Sequence, residues 1–334
     1  MSVRSFGFTE DGQEVLLYTL ENDAVSVSVM NYGAAMVSLV EKSTGRDILL
    51  GHDSVKGYIH DPAHMGGFIG RTANRIKNGR FRLNGETYQL DQNSGENNLH
   101  GGSDGFDQVM YEAEETGQTL RFHRISPDGE MGYPGDLDVT VTYTLLADGV
   151  QLKAEGTALN KDTLFAITNH NYYSLDDSET ICSCRVTIPS DRYAECSSDG
   201  ISQLPLKDVT GTVFDFRDGK ELGTDIRKPV PQLIENKGYD HHWEINGEGM
   251  RTFAVCRGKN LELKIESDMP GMHMYTANFL DGAGKQNRVY HPQCAVCFEP
   301  EYIPNGINYE GVKQPIVHKG ETSVQTIRIH IRPL

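Results

Sequence analysis

Two side chains in this sequence combine a proton-handling type with a setting that suits it. They are His170, in FAITNHNYYSL (165–175), and Glu299, in QCAVCFEPEYIPNGIN (293–308). Read as extended chain with alternating side chains, the first stretch puts Phe165 and Ile167 on an apolar face. Ala166, Thr168, His170 and Tyr172 fall on the other. An imidazole between a hydroxyl and a phenol can give and take a proton near neutrality. Taken alone, a histidine so placed reads as a structural one, satisfied by its neighbours. In the second stretch Cys294, Val296 and Phe298 face the core, whereas Ala295, Cys297 and Glu299 face the other way. Small residues ahead of Glu299 leave room for a ligand, and Pro300 ends the strand just beyond. On local grounds a carboxylate there reads equally as a candidate base or as an exposed turn acid, with Glu301 a nearby competitor for the role.

Three further stretches concentrate polar residues. GGFIGRTANRIKNGRF (66–81) is rich in glycines that let backbone and ligand approach closely. Within it the Arg71 fork could hold neighbouring hydroxyls, while Arg75 and Lys77 read as surface charges. NNLHGG (97–102) places His100 before two glycines, in a turn. Neither stretch fits a nucleotide-binding glycine pattern. GYDHHWEI (238–245), as a strand, sends Tyr239, His241, Trp243 and Ile245 one way and Asp240, His242 and Glu244 the other. Adjacent histidines on opposite faces cannot share one metal ion without a bulge, so Asp240 reads as an acceptor for hydroxyls instead. Cys294 and Cys297 form a C-x-x-C without a second pair at zinc-ribbon spacing, and the six cysteines read as free thiols.

The elements that must hold these residues are strands. Val25, Val27 and Val29 alternate before Gly33. Asn84-Gly85 and Asp148-Gly149 each separate two alternating runs as hairpin turns, and LELKIES (261–267) and SVQTIRIHIR (323–332) alternate as well. Residues 197–237, with Pro205, Pro229 and Pro231, read as long loops around a short GTVFDF strand. No linker, repeat or low-complexity tract divides the 334 residues. The expectation is an all-β fold, one large antiparallel β-sandwich domain over 1–334.

With 31 Lys plus Arg against 47 Asp plus Glu, the formal charge is -16. That acidity argues against nucleic acid or an anionic membrane surface as partner. The opening MSVRSFGFTEDGQEV lacks a signal-peptide core and no run approaches a membrane span, so the cytoplasm is the expected compartment.

Together the five stretches, with MYTANFLDG (274–282), resemble in order the aldose 1-epimerases, the galactose mutarotase family. The resemblance spans most of the chain. It implies a β-sandwich with a sugar site on a concave face, no metal, nucleotide or other cofactor, and interconversion of the α and β anomers of free aldohexoses. Such a protein would be a monomer or homodimer. It implies Glu299 as base and His170 as acid, the latter kept charged by Asp240 or Glu299. It also implies Arg71, His100 and Asp240 as ligands of sugar hydroxyls, Phe279 as an aromatic neighbour, and Asn74 and Tyr172 as lining. Pro300 and Glu301 stand where the family more often has Thr-Gln. The segment 197–217 lacks the usual Pro-Thr-Gly turn, and Asn171 and Ser174 replace Ser and Asn. These departures bear on substrate preference. A disaccharide or sugar-phosphate epimerase and a non-catalytic sugar-binding protein are the alternatives; the scarcity of basic residues in the motifs argues against phosphate.

Overall fold

The computed structural model describes residues 2–334. Alternating Val, Ile, Leu and Thr runs pair into antiparallel sheets because each buries one face and wets the other. The largest sheet has nine strands, with the long Leu137–Leu146, Gly149–Ala158 and Thr322–Pro333 near its middle. Five consecutive strands from Ser2–Phe8 to Arg46–Asp47 form a second sheet. A third, also five-stranded, runs in the order Lys207–Asp208, Arg192–Ala194, Asp240–Glu244, Gly271–Tyr275, Cys297–Glu301. One apolar core joins all three: Val27 and Leu39, Val141 and Leu152, and Trp243, Met274 and Phe298 are all within it. The all-β antiparallel sandwich expected from the alternation is what the chain forms.

The predicted hairpins are present. Arg80–Leu83 pairs with Glu86–Gln89 around Asn84-Gly85, and Leu137–Leu146 pairs with Gly149–Ala158, Gly149 opening the second strand. Two readings change. GTVFDF is not a strand; Phe214 and Phe216 reach the core from turns, and the one α-helix among the described residues, Pro231–Asn236, follows. FAITNHNYYSL is not a continuous strand either. Thr168–Asn169 pairs with Phe68–Ile69, and single bridges tie Ala166 to Thr72 and Tyr173 to Val296. The predicted apolar face survives this fragmentation, since Phe165 and Ile167 are in the core. Of the other face, Ala166 and Thr168 are buried away from the cleft that His170 and Tyr172 line.

Candidate active site

The third sheet carries the floor of the site. Its registers place His273 opposite both His242 and Glu299, and Tyr275 opposite both Asp240 and Cys297. Because side chains alternate, these rows share one face, and His241, Trp243, Met274 and Phe298 point to the core on the other. Gly271 keeps its row open, since a Cβ there would lie 2.3 Å from His242 Nε2.

Three loops close over that face. Residues 66–67 bond the backbone of His170 from both sides, Gly66 N–H to its carbonyl and its N–H to Gly67. Asn74 and His100 lock two loops together. His100 N–H donates to the Asn74 carbonyl at 3.0 Å, and Asn74 N–H donates to His100 Nδ1 at 3.2 Å. Both residues have φ near +55° (57° and 52°), a left-handed conformation that Asn and His adopt more readily than most. Gly101 is required here, because a Cβ would meet the Gly70 carbonyl oxygen at 1.9 Å.

The result is a cleft of about 150 Å³. His64, Asn74, Arg75 and His100 line one side, His170, Tyr172 and Phe279 another, and Asp240, His273, Tyr275 and Glu299 the floor. A second cavity of about 330 Å³ shares Ala63, Tyr172, Tyr275 and Phe279 as walls. Phe279 stands at the lip, 57% exposed, with the Lys237 ammonium 5.1 Å from its ring centre.

His170 Nε2 lies 3.7 Å from Glu299 Oε1, and both side chains are buried. Tyr172 stacks on the His170 ring at 5.1 Å, and the Cys297 sulfur is 3.8 Å from its Nδ1. Glu299 Oε2 has no hydrogen-bond partner in the protein. Burial, reinforced by the charge of Asp240, pushes the Glu299 carboxyl well above its ordinary range. Burial, reinforced by the charge of His64, pulls His170 down to about 3. The resemblance implied a charged imidazole beside an ionised carboxylate. Desolvation favours the opposite resting form, a neutral imidazole beside a protonated Glu299, with the same total charge.

Asp240 behaves differently. Its burial alone would raise its pKa, but a 2.6 Å hydrogen bond from His273 Nε2, with that ring's charge and Arg75, holds it below the ordinary carboxylate value. The cleft therefore contains one buried carboxyl held neutral and one held ionised.

Arg71 is not in the cleft. It is 1% exposed, and its guanidinium donates to Ser126 Oγ, Thr163 Oγ1 and the carbonyls of Ser126, Pro127, Pro134 and Gly135. With its donors consumed by the fold, none is left for a ligand. Arg75, read from sequence as a surface charge, lines the cleft, and its Nε is buried without a partner. Glu301 also falls outside the lining; its carboxyl lies 3.2 Å from His242 Nδ1 and 3.6 Å from His273 Nδ1. His64, His273 and Tyr275 were not singled out from the sequence. For the last two a signal existed: GMHMY alternates, and pairing it with YDHHW would have put His273 and Tyr275 beside Asp240.

His170, Cys297 and Glu299 form the set among the described residues that could close on a metal, with donor atoms within 4.8 Å. Cys297 faces Nδ1 of the ring and Glu299 faces Nε2, and these nitrogens diverge. An ion bound to either nitrogen loses the partner facing the other, so the set fits a metal poorly. No helix of the structure is long and apolar enough to cross a membrane.

A family model described as aldose 1-epimerase matches residues 16–330. Galactose mutarotase of Homo sapiens is 35% identical over 323 residues, covering 93% of this chain and 92% of its own. Aldose 1-epimerase of Escherichia coli (strain K12) is 33% identical over 316 residues, covering 91% of each. Among solved structures, galactose 1-epimerase from Lactobacillus acidophilus superposes with a TM-score of 0.88 at 25% identity, covering 99% of this chain and 98% of that one.

Proposed function

The chain belongs to the aldose 1-epimerase family, and from that premise we propose that it is a mutarotase, interconverting the α and β anomers of free hexoses such as galactose and glucose. The observation that carries the reading is the His170–Glu299 pair, 3.7 Å apart where one wall of the cleft meets its floor, with hydrogen-bonding groups around it.

Opening a hemiacetal requires one proton to leave the anomeric hydroxyl and one to reach the ring oxygen. With Glu299 ionised and His170 protonated, the carboxylate takes the first and the imidazolium supplies the second. The products are the open-chain aldehyde, a protonated Glu299 and a neutral His170. Rotation about C1–C2 presents the other carbonyl face. The pair then runs in reverse, His170 taking the proton of the attacking hydroxyl and Glu299 returning its own to the carbonyl oxygen. The resting form favoured by burial is thus the form that accompanies the open chain. Sugar hydroxyls donating to the unpartnered Glu299 Oε2 would favour the ionised form when the ring is closed. The pair keeps the same total charge throughout, which suits two buried side chains.

Arg75 and His100 supply donors, and Asp240, fixed by His273, supplies an acceptor; these would hold the ring with C1 between the pair. Arg75 takes the part that the resemblance implied for Arg71. Asn74 and Tyr172 shape the walls, and Phe279 offers an aromatic face at the lip. The site draws on residues from 64 to 299, which supports treating 1–334 as one functional domain.

The test is polarimetry on freshly dissolved α-galactose and α-glucose, with chelator present. The protein is expected to speed relaxation to the equilibrium rotation. No acceleration on any common aldose would remove the enzyme reading and leave a sugar-binding protein.

A further inference from the structure

We propose that His64, held by Asp107, is a direct ligand of a hydroxyl of the bound aldose and so a determinant of which sugars are turned over; this rests on the mutarotase reading of the cleft. His64 lines that cleft, its ring 4.8 Å from that of His100 and 6.3 Å from that of His170. Its Nδ1–H donates to Asp107 Oδ2 at 2.7 Å, and the same oxygen accepts from Gln108 Nε2 at 3.0 Å. Asp107 is buried and lies outside the cleft lining, behind His64. With Nδ1 engaged from behind, Nε2 is the nitrogen left for a ligand. A carboxylate that fixes an imidazole from the far side sets both its orientation and the nitrogen it presents.

The charged groups facing His64 agree in sign. Burial alone would lower its pKa, but the charge and hydrogen bond of Asp107, with the charge of Asp61, raise it. His100 and His170 are both pushed toward the neutral form, in part by the charge on His64. Of the three clustered imidazoles, His64 is therefore the one favoured toward the charged form, in which its Nε2 is a donor. His100 spends Nδ1 on the Asn74 N–H, and His170 faces Glu299, so the third ring has no part in either task.

The backbone supplies a suitable variant. His64 has φ +52°, a conformation Asn tolerates well, so His64→Asn removes the imidazole without opposing the loop. kcat/KM is measured for wild type and His64→Asn on galactose and on its 2-, 3-, 4- and 6-deoxy derivatives. On galactose the variant should lose roughly ten- to a hundredfold, as expected when a charged hydrogen bond to substrate is removed. For one deoxy sugar, the one lacking the hydroxyl that His64 holds, wild type and variant should agree within about twofold. An equal loss on every sugar would make His64 structural and overturn the proposal, and so would no loss on galactose. A second arm follows the His64 Nε2 ¹⁵N resonance of the full chain as galactose is added. If wild type accelerates no aldose, the enzyme reading fails by itself. The resonance then decides the contact: a shift with galactose that the matching deoxy sugar does not produce upholds it, and no shift overturns it.

Discussion

Arg71 and Arg75 sit four residues apart in one motif, GRTANRI, and the fold uses them in opposite ways. Arg71 is wrapped by carbonyls and hydroxyls from segments near Ser126, Pro134 and Thr163, and it ties those loops to one point. Arg75 keeps a buried Nε without a partner at the edge of the cleft. Glu299 and Glu301 form a second such contrast on one strand. The first opens into the cleft, and the second is turned toward His242 and His273 outside its lining. Burial does not separate the two glutamates, both enclosed, although Arg71 is more deeply buried than Arg75. What separates the two arginines is whether the protein completes their hydrogen bonds or leaves an atom facing space that a ligand can fill; each glutamate has an unpartnered Oε2, and only Glu299 lines the cleft.

The contrast can be broken most forcefully at Arg71. Arg71→Met should destabilise the fold by about 4 kcal/mol or more, because it removes all six hydrogen bonds of a buried guanidinium at once. Denaturant unfolding measures this. Arg75→Met should leave the denaturation midpoint nearly in place and lower kcat/KM on galactose by roughly a hundredfold, the loss of a charged donor to substrate. If the two variants exchanged these phenotypes, the assignment of the arginines would be reversed. On the strand, Glu299→Gln should cost about a thousandfold in kcat. Glu301→Gln should keep activity within an order of magnitude, since burial pushes the Glu301 carboxyl well above its ordinary range and an amide nearly matches the shape of the protonated form. A dead Glu301→Gln beside an active Glu299→Gln would move the base by two residues.

These pairs also mark how far the sequence could be read. Alternation predicted the all-β architecture, the hairpins, and the faces of Tyr239–Ile245 and Cys294–Glu299, because a period of two fixes which side chains share a sheet face. It could not tell Arg71 from Arg75. Both lie in irregular, glycine-punctuated chain, where no period says which way a side chain points, and the acceptors that claim Arg71 come from 55 to 92 residues away. His64 was invisible for a similar reason. Its partner Asp107 is 43 residues on, in a different loop. The resting charge state of His170 was not legible, because proximity to a carboxylate is visible in a motif, whereas the desolvation that favours the neutral ring exists only once the loops have closed.

The smallest effect tests that last point through stability. The ordinary pKa values are 6.5 for His170 and 4.5 for Glu299; folding lowers the first to about 3 and raises the second well above its ordinary value. Between pH 4.5 and 6.5 the unfolded chain holds a proton on the histidine and none on the glutamate, and the folded chain holds one on the glutamate and none on the histidine. The pair binds one proton in either state, so in wild type its net contribution to the pH slope of stability in this window is zero. Removing one member uncovers the other. In Glu299→Gln, the remaining neutral His170 should make the fold gain about 1.4 kcal/mol per pH unit, relative to wild type, as pH rises toward 6.5. In His170→Asn, the remaining protonated Glu299 should make it lose stability at a similar rate as pH rises above 4.5. Urea midpoints at several pH values would read both slopes. Opposite signs are expected for two variants whose side chains lie 3.7 Å apart. Matching flat profiles would mean that the folded pair holds its proton on the histidine, as a charged imidazolium beside an ionised Glu299.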